Sequence, residues 1–174
     1  MSRYIWILTL SILSSPLHAE FNVSKDWMWD ASGQEFAYAA TSTDGGRILG
    51  QYCYYNQDSC VYVVTLGITC EQGSEYPALV NSNVGAIEVQ LICGHKAATD
   101  ENAFFIKPFT EIDNAVRQAS NIGFAIAMKS GRFKVTRFSL SGSTYAIESM
   151  RESAMNKSRS IPERSNSIGS ERYL

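Results

Sequence analysis

Residues 35–68 read EFAYAATSTDGGRILGQYCYYNQDSCVYVVTLGI, and this stretch decides the fold. Phe36, Tyr38 and Ala40 recur at period two, which puts them on one face of a strand over Glu35–Thr43. Asp44-Gly45-Gly46 is a turn signal, because glycine tolerates positive φ. Arg47–Tyr55 should then return antiparallel. Asn56-Gln57-Asp58 turns the chain again, and Cys60–Ile68 is rich in β-branched residues. Strands joined by tight turns predict antiparallel pairing.

Working outward from this core, Gly73 to Pro77 reads as a loop. Gly85–Cys93 (GAIEVQLIC) sets Ile87, Val89, Leu91 and Cys93 against Glu88 and Gln90, the pattern of a half-buried strand. Residues 94–102 (GHKAATDEN) read as a polar loop. Ala103–Lys107 is a short strand ended by Pro108. Phe109, Ile112, Val116 and Ala119 fall at helical spacing, with Thr110 and Asp113 placed as a capping box, so a helix is predicted over 110–120. Ile122–Met128 is a continuous apolar run, read as a buried strand. In Arg132–Leu140, Phe133 and Val135 share one face and Phe138 and Leu140 the other, which a β-bulge near Thr136 would reconcile. Ile147, Met150 and Ala154 predict a short helix within 141–154. From Asn156 onward periodicity is lost, and residues 156–174 read as a disordered tail. The predicted fold is one domain over residues 20–155, mainly β. It is an antiparallel β-sandwich or flattened barrel with two short helices in the C-terminal half.

The 174 residues, 45% hydrophobic, fit one globular domain. Arg3, the apolar Tyr4–Leu13 and the polar Ser14–Ala19 have the layout of a secretory signal peptide over residues 1–19. Ten apolar residues are too few to span a bilayer. No later apolar run reaches that length, so the mature chain is expected to lack a transmembrane segment. Charge is uneven: residues 20–150 carry nine basic and fourteen acidic groups, and residues 151–174 carry five basic and three acidic. An acidic domain argues against a nucleic-acid partner.

Cys53, Cys60, Cys70 and Cys93 make an even count, which in an exported domain implies two disulfides. The favoured pairing is Cys53–Cys60 with Cys70–Cys93, each linking neighbouring strands of a hairpin. The spacing does not suit zinc, and neither a metal nor another cofactor is expected.

Candidate chemistry is sparse. His95 is the sole histidine after residue 19 and could in principle serve a hydrolase, but no GxSxG elbow accompanies it. Glu71 and Glu75, or Asp100 and Glu101, are close in sequence only, which does not make a glycosidase pair. Lys129, Arg132, Lys134 and Arg137 form a basic cluster undiluted by acids. It suits either an anionic envelope surface or a strand edge kept from pairing. Tyr38, Tyr52, Tyr54, Tyr55 and Tyr62 concentrate in the predicted strands and suit either a binding face or cross-strand packing.

Asp26-Trp27 opens the domain, Ile122–Met128 precedes its end, and Phe138-Ser139-Leu140-Ser141-Gly142 runs into Ala146-Ile147. This order resembles the exported bacterial invasion-associated locus B family, with Ser143 where an aromatic is usual. The resemblance implies an exported β-sandwich acting at the cell envelope or in host interaction, with no catalytic residues to carry over. Ser141-Gly142-Ser143-Thr144-Tyr145 is also similar to the SGxxY loop of periplasmic lysozyme inhibitors, which would give Ser141 and Tyr145 an inhibitory contact. The expected protein is periplasmic or secreted and non-catalytic, and it binds an unknown protein or envelope component. Tyr52, Tyr54, Lys129, Arg132, Lys134, Ser141 and Tyr145 are its candidate contacts. Inhibition of a lysozyme-like hydrolase and hydrolysis through His95 are the alternatives.

Overall fold

A computed structural model describes residues 21–57, 59–128 and 130–160. The expected signal peptide, Lys129 and residues 161–174 lie outside them. The strands are β1 (Asn22–Ser24), β2 (Trp27–Asp30), β3 (Phe36–Ser42), β4 (Ile48–Tyr54), β5 (Ser59–Thr65), β6 (Glu75–Ser82), β7 (Gly85–Ala98), β8 (Glu101–Lys107), β9 (Asn121–Ala127) and β10 (Phe133–Ser139). Helix α1 (Phe109–Gln118) separates β8 from β9, and α2 (Ser143–Ser160) follows β10. The fold is mostly antiparallel β with both helices in the C-terminal half. All ten strands belong to one sheet in the order β1-β2-β3-β4-β5-β8-β7-β6-β9-β10, and the sheet does not close.

The meander read from residues 35–68 is β3-β4-β5, with Tyr38 opposite Tyr52 and Cys53 opposite Cys60. Period two separates its faces. Leu49, Gln51, Tyr62 and Val64 point inward and are buried, as are Ala37 and Ala39. The small size of Ala37 and Ala39 lets α2 lie close over β3. From α2, Ala146, Ile147, Met150 and Ala154 complete the core. Across the remaining strands, Phe104, Val89, Leu91, Val80, Phe124 and Phe138 continue it.

The two ends of the sheet meet at one corner. Trp27 is fully buried and its Nε1–H donates to the Ser139 carbonyl at 3.0 Å. Ser139 Oγ donates to Asp26 Oδ2 at 2.5 Å, and the Asp26 N–H donates to the Ser141 carbonyl at 3.2 Å. Gly142 sits at φ 92°, where a Cβ would come within 1.9 Å of the Ser24 carbonyl oxygen. Only glycine fits that approach.

Five expectations need correction. Residues 73–77 are not all loop, because β6 begins at Glu75. Pro77 lacks the N–H a ladder needs, but the β6–β9 ladder starts only at Leu79, so that edge of β6 is unpaired at Pro77. Residues 94–102 are not a loop either, since β7 runs to Ala98 and β8 starts at Glu101. Their two buried polar side chains are satisfied internally: Glu101 accepts from Arg47 at 2.5 Å and from the Gly67 N–H at 2.6 Å, and Asn102 Nδ2 donates to the Gly94 carbonyl at 3.1 Å. No bulge interrupts β10, whose register with β9 is unbroken. Phe133 and Val135 simply face outward. The Thr110–Asp113 capping box does not form, because Asp113 turns into the core instead. Finally, α2 runs for 18 residues to Ser160, past the expected domain end at 155 and into the expected tail.

Candidate functional site

The outer face of β3-β4-β5-β8 is aromatic. Phe36, Tyr38, Tyr52 and Tyr54 stand on it at alternate positions, because period two that sends Leu49, Gln51 and Cys53 inward sends their neighbours outward. Tyr38 stacks on Tyr52 with ring centroids 5.8 Å apart, and Phe36 meets Tyr52 and Tyr54 edge-on at 5.7 and 5.8 Å. Val61 and Val63 extend the face onto β5, and Phe105 onto β8, where it lies opposite Val63. Two glycines shape it. Gly50 leaves a gap between Ile48 and Tyr52, where a Cβ would come within 2.8 Å of Ala40 Cβ. Gly94 lets the Phe105 ring lie over it, at 2.8 Å from a would-be Cβ. Between these features runs an open cleft of about 240 Å³ lined by Phe36, Tyr52, Tyr54, Val63, Phe105 and His95.

Burial raises the Tyr52 phenol above its usual range, with Tyr38 and Tyr54 adding to the effect. Burial and then the Asp30 charge raise Tyr38. The phenols therefore present neutral O–H groups. Among the described residues neither of those hydroxyls, nor that of Tyr54, has a protein hydrogen-bond partner. A face of this kind offers apolar ring surface together with polar tips, the combination that suits a docking surface.

A second constellation lies beneath α2, centred on the buried Asp113, Gln51 and Tyr62. Asp113 Oδ1 accepts from Tyr62 Oη at 2.8 Å and from Gln51 Nε2 at 3.5 Å, and is paired with Arg151 Nη2. Arg151 Nε also donates to Gln51 Oε1 at 2.7 Å, and its guanidinium lies 5.7 Å from the Phe109 ring centre. Arg117 reaches Asp113 at 3.8 Å and Glu148 at 2.6 Å. This network joins α1, α2, β4 and β5, and its acceptors are already filled. It holds the helices against the sheet.

The candidate contacts read from sequence do not converge. Tyr52 and Tyr54 stand together on the aromatic face, with His95 exposed at the cleft beside them. Lys134 turns inward and donates to the Gly67 carbonyl at 2.7 Å. Arg132 is exposed just before β10. Ser141 lies in the turn between β10 and α2, and Tyr145 is 63% exposed in the first turn of α2. The SGxxY segment is thus a turn and a helix start rather than an extended loop. Its Ser143 Oγ is spent on the Val116 carbonyl at 2.8 Å. His95 makes no hydrogen bond among the described residues, and its cleft is lined by no carboxylate. No group of three or more His, Cys, Asp or Glu side chains among the described residues is placed to hold a metal.

Sequence reasoning did not separate Tyr38, Tyr52 and Tyr54, which face outward, from Tyr62, which faces inward. Residue parity within each strand carried that signal. Phe105 was not legible, because it joins the face only through the pairing of β5 with β8.

Cys53 is bridged to Cys60 across the β4–β5 hairpin. Cys70 is bridged to Cys93, but Cys70 lies in the connection after β5, so this bridge ties a loop to β7 rather than two strands of a hairpin. No described helix is long and apolar enough to cross a membrane.

These features define a class: a disulfide-bridged, open antiparallel sheet with two helices that presents an aromatic outer face. Among solved structures the chain is similar to the crystal structure of invasion associated protein b from Bartonella henselae. The TM-score is 0.56 at 14% identity, over 80% of this chain and 99% of that one. The likeness is one of fold. No protein-family model and no curated protein sequence matches the chain.

Proposed function

We propose that this protein is an exported, non-catalytic binding factor of the bacterial cell envelope or of host interaction, and that it docks its partner on the aromatic face of β3-β4-β5-β8. The observation that carries the reading is the joining of Phe36, Tyr38, Tyr52, Tyr54 and Phe105 into one half-exposed surface with unpartnered phenol hydroxyls. Core packing does not require this arrangement, since the same strands bury their other face. Two disulfides support an extracytoplasmic location, as does the expected signal sequence. The structural likeness to an invasion associated protein supports a role outside the cytoplasm as well.

The test is to purify the exported protein and the double variant Tyr52→Ser, Tyr54→Ser, and to compare photo-crosslinking to envelope fractions and to host-cell surfaces. Both side chains are half-exposed, so the variant should fold. It should lose at least about ten-fold in crosslinked yield, the loss expected when a central aromatic anchor is removed. Undiminished crosslinking by the variant would refute the aromatic face as the docking surface. Hydrolysis abolished by His95→Ala would refute the non-catalytic reading.

A further inference from the structure

Strand β10 ends the sheet order and has a ladder partner, β9, on one side only. The Met128 N–H donates to the Arg132 carbonyl at 2.8 Å, and the register from Phe133↔Ala127 to Ser139↔Asn121 runs without a shift. Hydrogen-bonded and non-hydrogen-bonded pairs alternate along an antiparallel ladder. Lys134, Thr136 and Phe138 therefore direct their backbone groups at β9, while Phe133, Val135 and Arg137 direct theirs away from β9. Ser139 and Ser141 share the outward parity, and their carbonyls are taken by Trp27 and Asp26. Upstream of that corner, no hydrogen bond among the described residues uses the N–H or C=O of Phe133, Val135 or Arg137.

The same residues expose apolar side chains. Phe133 is 70% exposed and Val135 47%. Val135, Ala125 and Leu79 form a row across β10, β9 and β6, and Leu79 is 50% exposed. The charges that β9, β10 and their turn themselves carry are of one sign, with the Asp26 carboxylate confined to the Ser139 end. From Asn121 to Ile147 the sequence holds Lys129, Arg132, Lys134 and Arg137 and no Asp or Glu. With Lys134 committed to Gly67, Arg132 and Arg137 remain exposed.

We propose that β10 docks an extended acidic segment of a partner protein, which adds to the sheet as an eleventh strand. Its backbone would take the free groups of Phe133, Val135 and Arg137. Its apolar side chains would cover Phe133 and Val135, and its carboxylates would meet Arg132 and Arg137. The charge selects against a second copy, since pairing two β10 strands would bring their basic side chains together.

The experiment uses a fluorescein-labelled extended peptide that carries Val and Glu on the same strand face, and its counterpart with Lys in place of every Glu, at submicromolar concentration with the oxidised protein. Binding is read by fluorescence anisotropy. The Glu peptide should bind at least about ten-fold tighter than the Lys peptide, and its binding should weaken as salt is raised. Val135→Pro removes an outward N–H while leaving the β9 ladder intact, the one setting in which a strand tolerates proline. It should abolish Glu-peptide binding with the thermal melt retained. If Val135→Pro fails to fold, Arg137→Glu carries the test, and it should reverse the preference between the two peptides. Equal binding of the two peptides would overturn the proposal, as would binding unchanged by a folded Val135→Pro. A concentration-dependent dimer that Val135→Pro dissolves, without Glu-peptide binding, would assign the edge to a second copy and overturn it too.

Discussion

Asp113 shows how one residue can be misread from its neighbours in sequence. Its place three residues after Thr110 suggests a helix cap, yet the side chain lies on the inward face of α1, where Ile112 and Val116 also point. A buried carboxylate is costly unless paired and hydrogen-bonded, and Tyr62, Gln51 and Arg151 supply those partners. Asp113→Asn would leave Arg151 without its counter-charge and Tyr62 without a strong acceptor. Breaking such a pair should cost about 3 kcal/mol, readable as a lowered urea midpoint. Tyr62→Phe removes one hydrogen bond and should cost about 1 kcal/mol at neutral pH. Burial, then the charge and hydrogen bond of Asp113, push the Tyr62 phenol far above its usual range, with Arg151 and Arg117 opposing. The folded state thus favours the neutral phenol. That contribution is intact below the unfolded pKa of about 10 and is lost as pH rises beyond it. Stability measured against pH should fall above about pH 10, and Tyr62→Phe should lose part of that slope. An identical slope in wild type and variant would show that Tyr62 does not couple folding to base.

At the scale of elements, strands whose apolar residues alternate or run together were legible, and those interrupted by proline or polar runs were not. Residues 35–68 yielded β3, β4 and β5 because polarity, turns and β-branched content agree there. β6 was lost to Pro77, and the far half of β7 to the run Gly94-His95-Lys96, with the polar Glu101 and Asn102 just beyond it satisfied by Arg47, Gly67 and Gly94. The end of α2 was lost for a related reason. Residues 156–160 show no apolar stripe, so periodicity stops at Ala154, yet the helix continues because polar contacts hold it. Lys157 Nζ donates to the carbonyls of Ala31, Ser32 and Gly33, and lies 4.9 Å from the Tyr55 ring centre. Ser158 Oγ donates to the Tyr55 carbonyl at 3.3 Å. Residues 156–160, expected to begin a disordered tail, are thus the packed last turns of α2. Truncation after Met155 should lower stability by about 1–3 kcal/mol, the range for hydrogen bonds to a charged group. Lys157→Ala alone should account for most of that loss. A melting temperature unchanged by truncation would mean that the last turn of α2 contributes nothing.

For the whole molecule, the order β5-β8-β7-β6-β9 is the part no local pattern could disclose. The chain leaves β5, crosses to build the β6–β7 hairpin, and returns with β8 to pair with β5, so β8 closes a pairing opened some forty residues earlier. The Cys70–Cys93 bridge lies across this excursion and fastens the outgoing connection to β7. Cys53–Cys60 fastens only a hairpin whose strands are already adjacent. The sequence separations are 23 and 7 residues. In the chain-entropy account the longer loop contributes about 3.5 kcal/mol and the shorter about 2.5 kcal/mol. Together these are comparable to the net stability of a typical domain, about 5–15 kcal/mol. The two bridges should therefore be unequal in effect. The Cys70→Ser, Cys93→Ser pair should destabilise more than the Cys53→Ser, Cys60→Ser pair. It should also slow refolding more, because the bridge shortens the search for the non-local β5–β8 pairing. Removing both should leave a chain that folds weakly or not at all in a reducing solvent, which would tie correct folding to an oxidising compartment. The measurement is a denaturant series on the two double variants and the four-fold variant, with refolding rates from the same samples. Equal losses from the two pairs would show that loop length does not govern here. Full stability of the four-fold variant would remove the disulfides from the case for export.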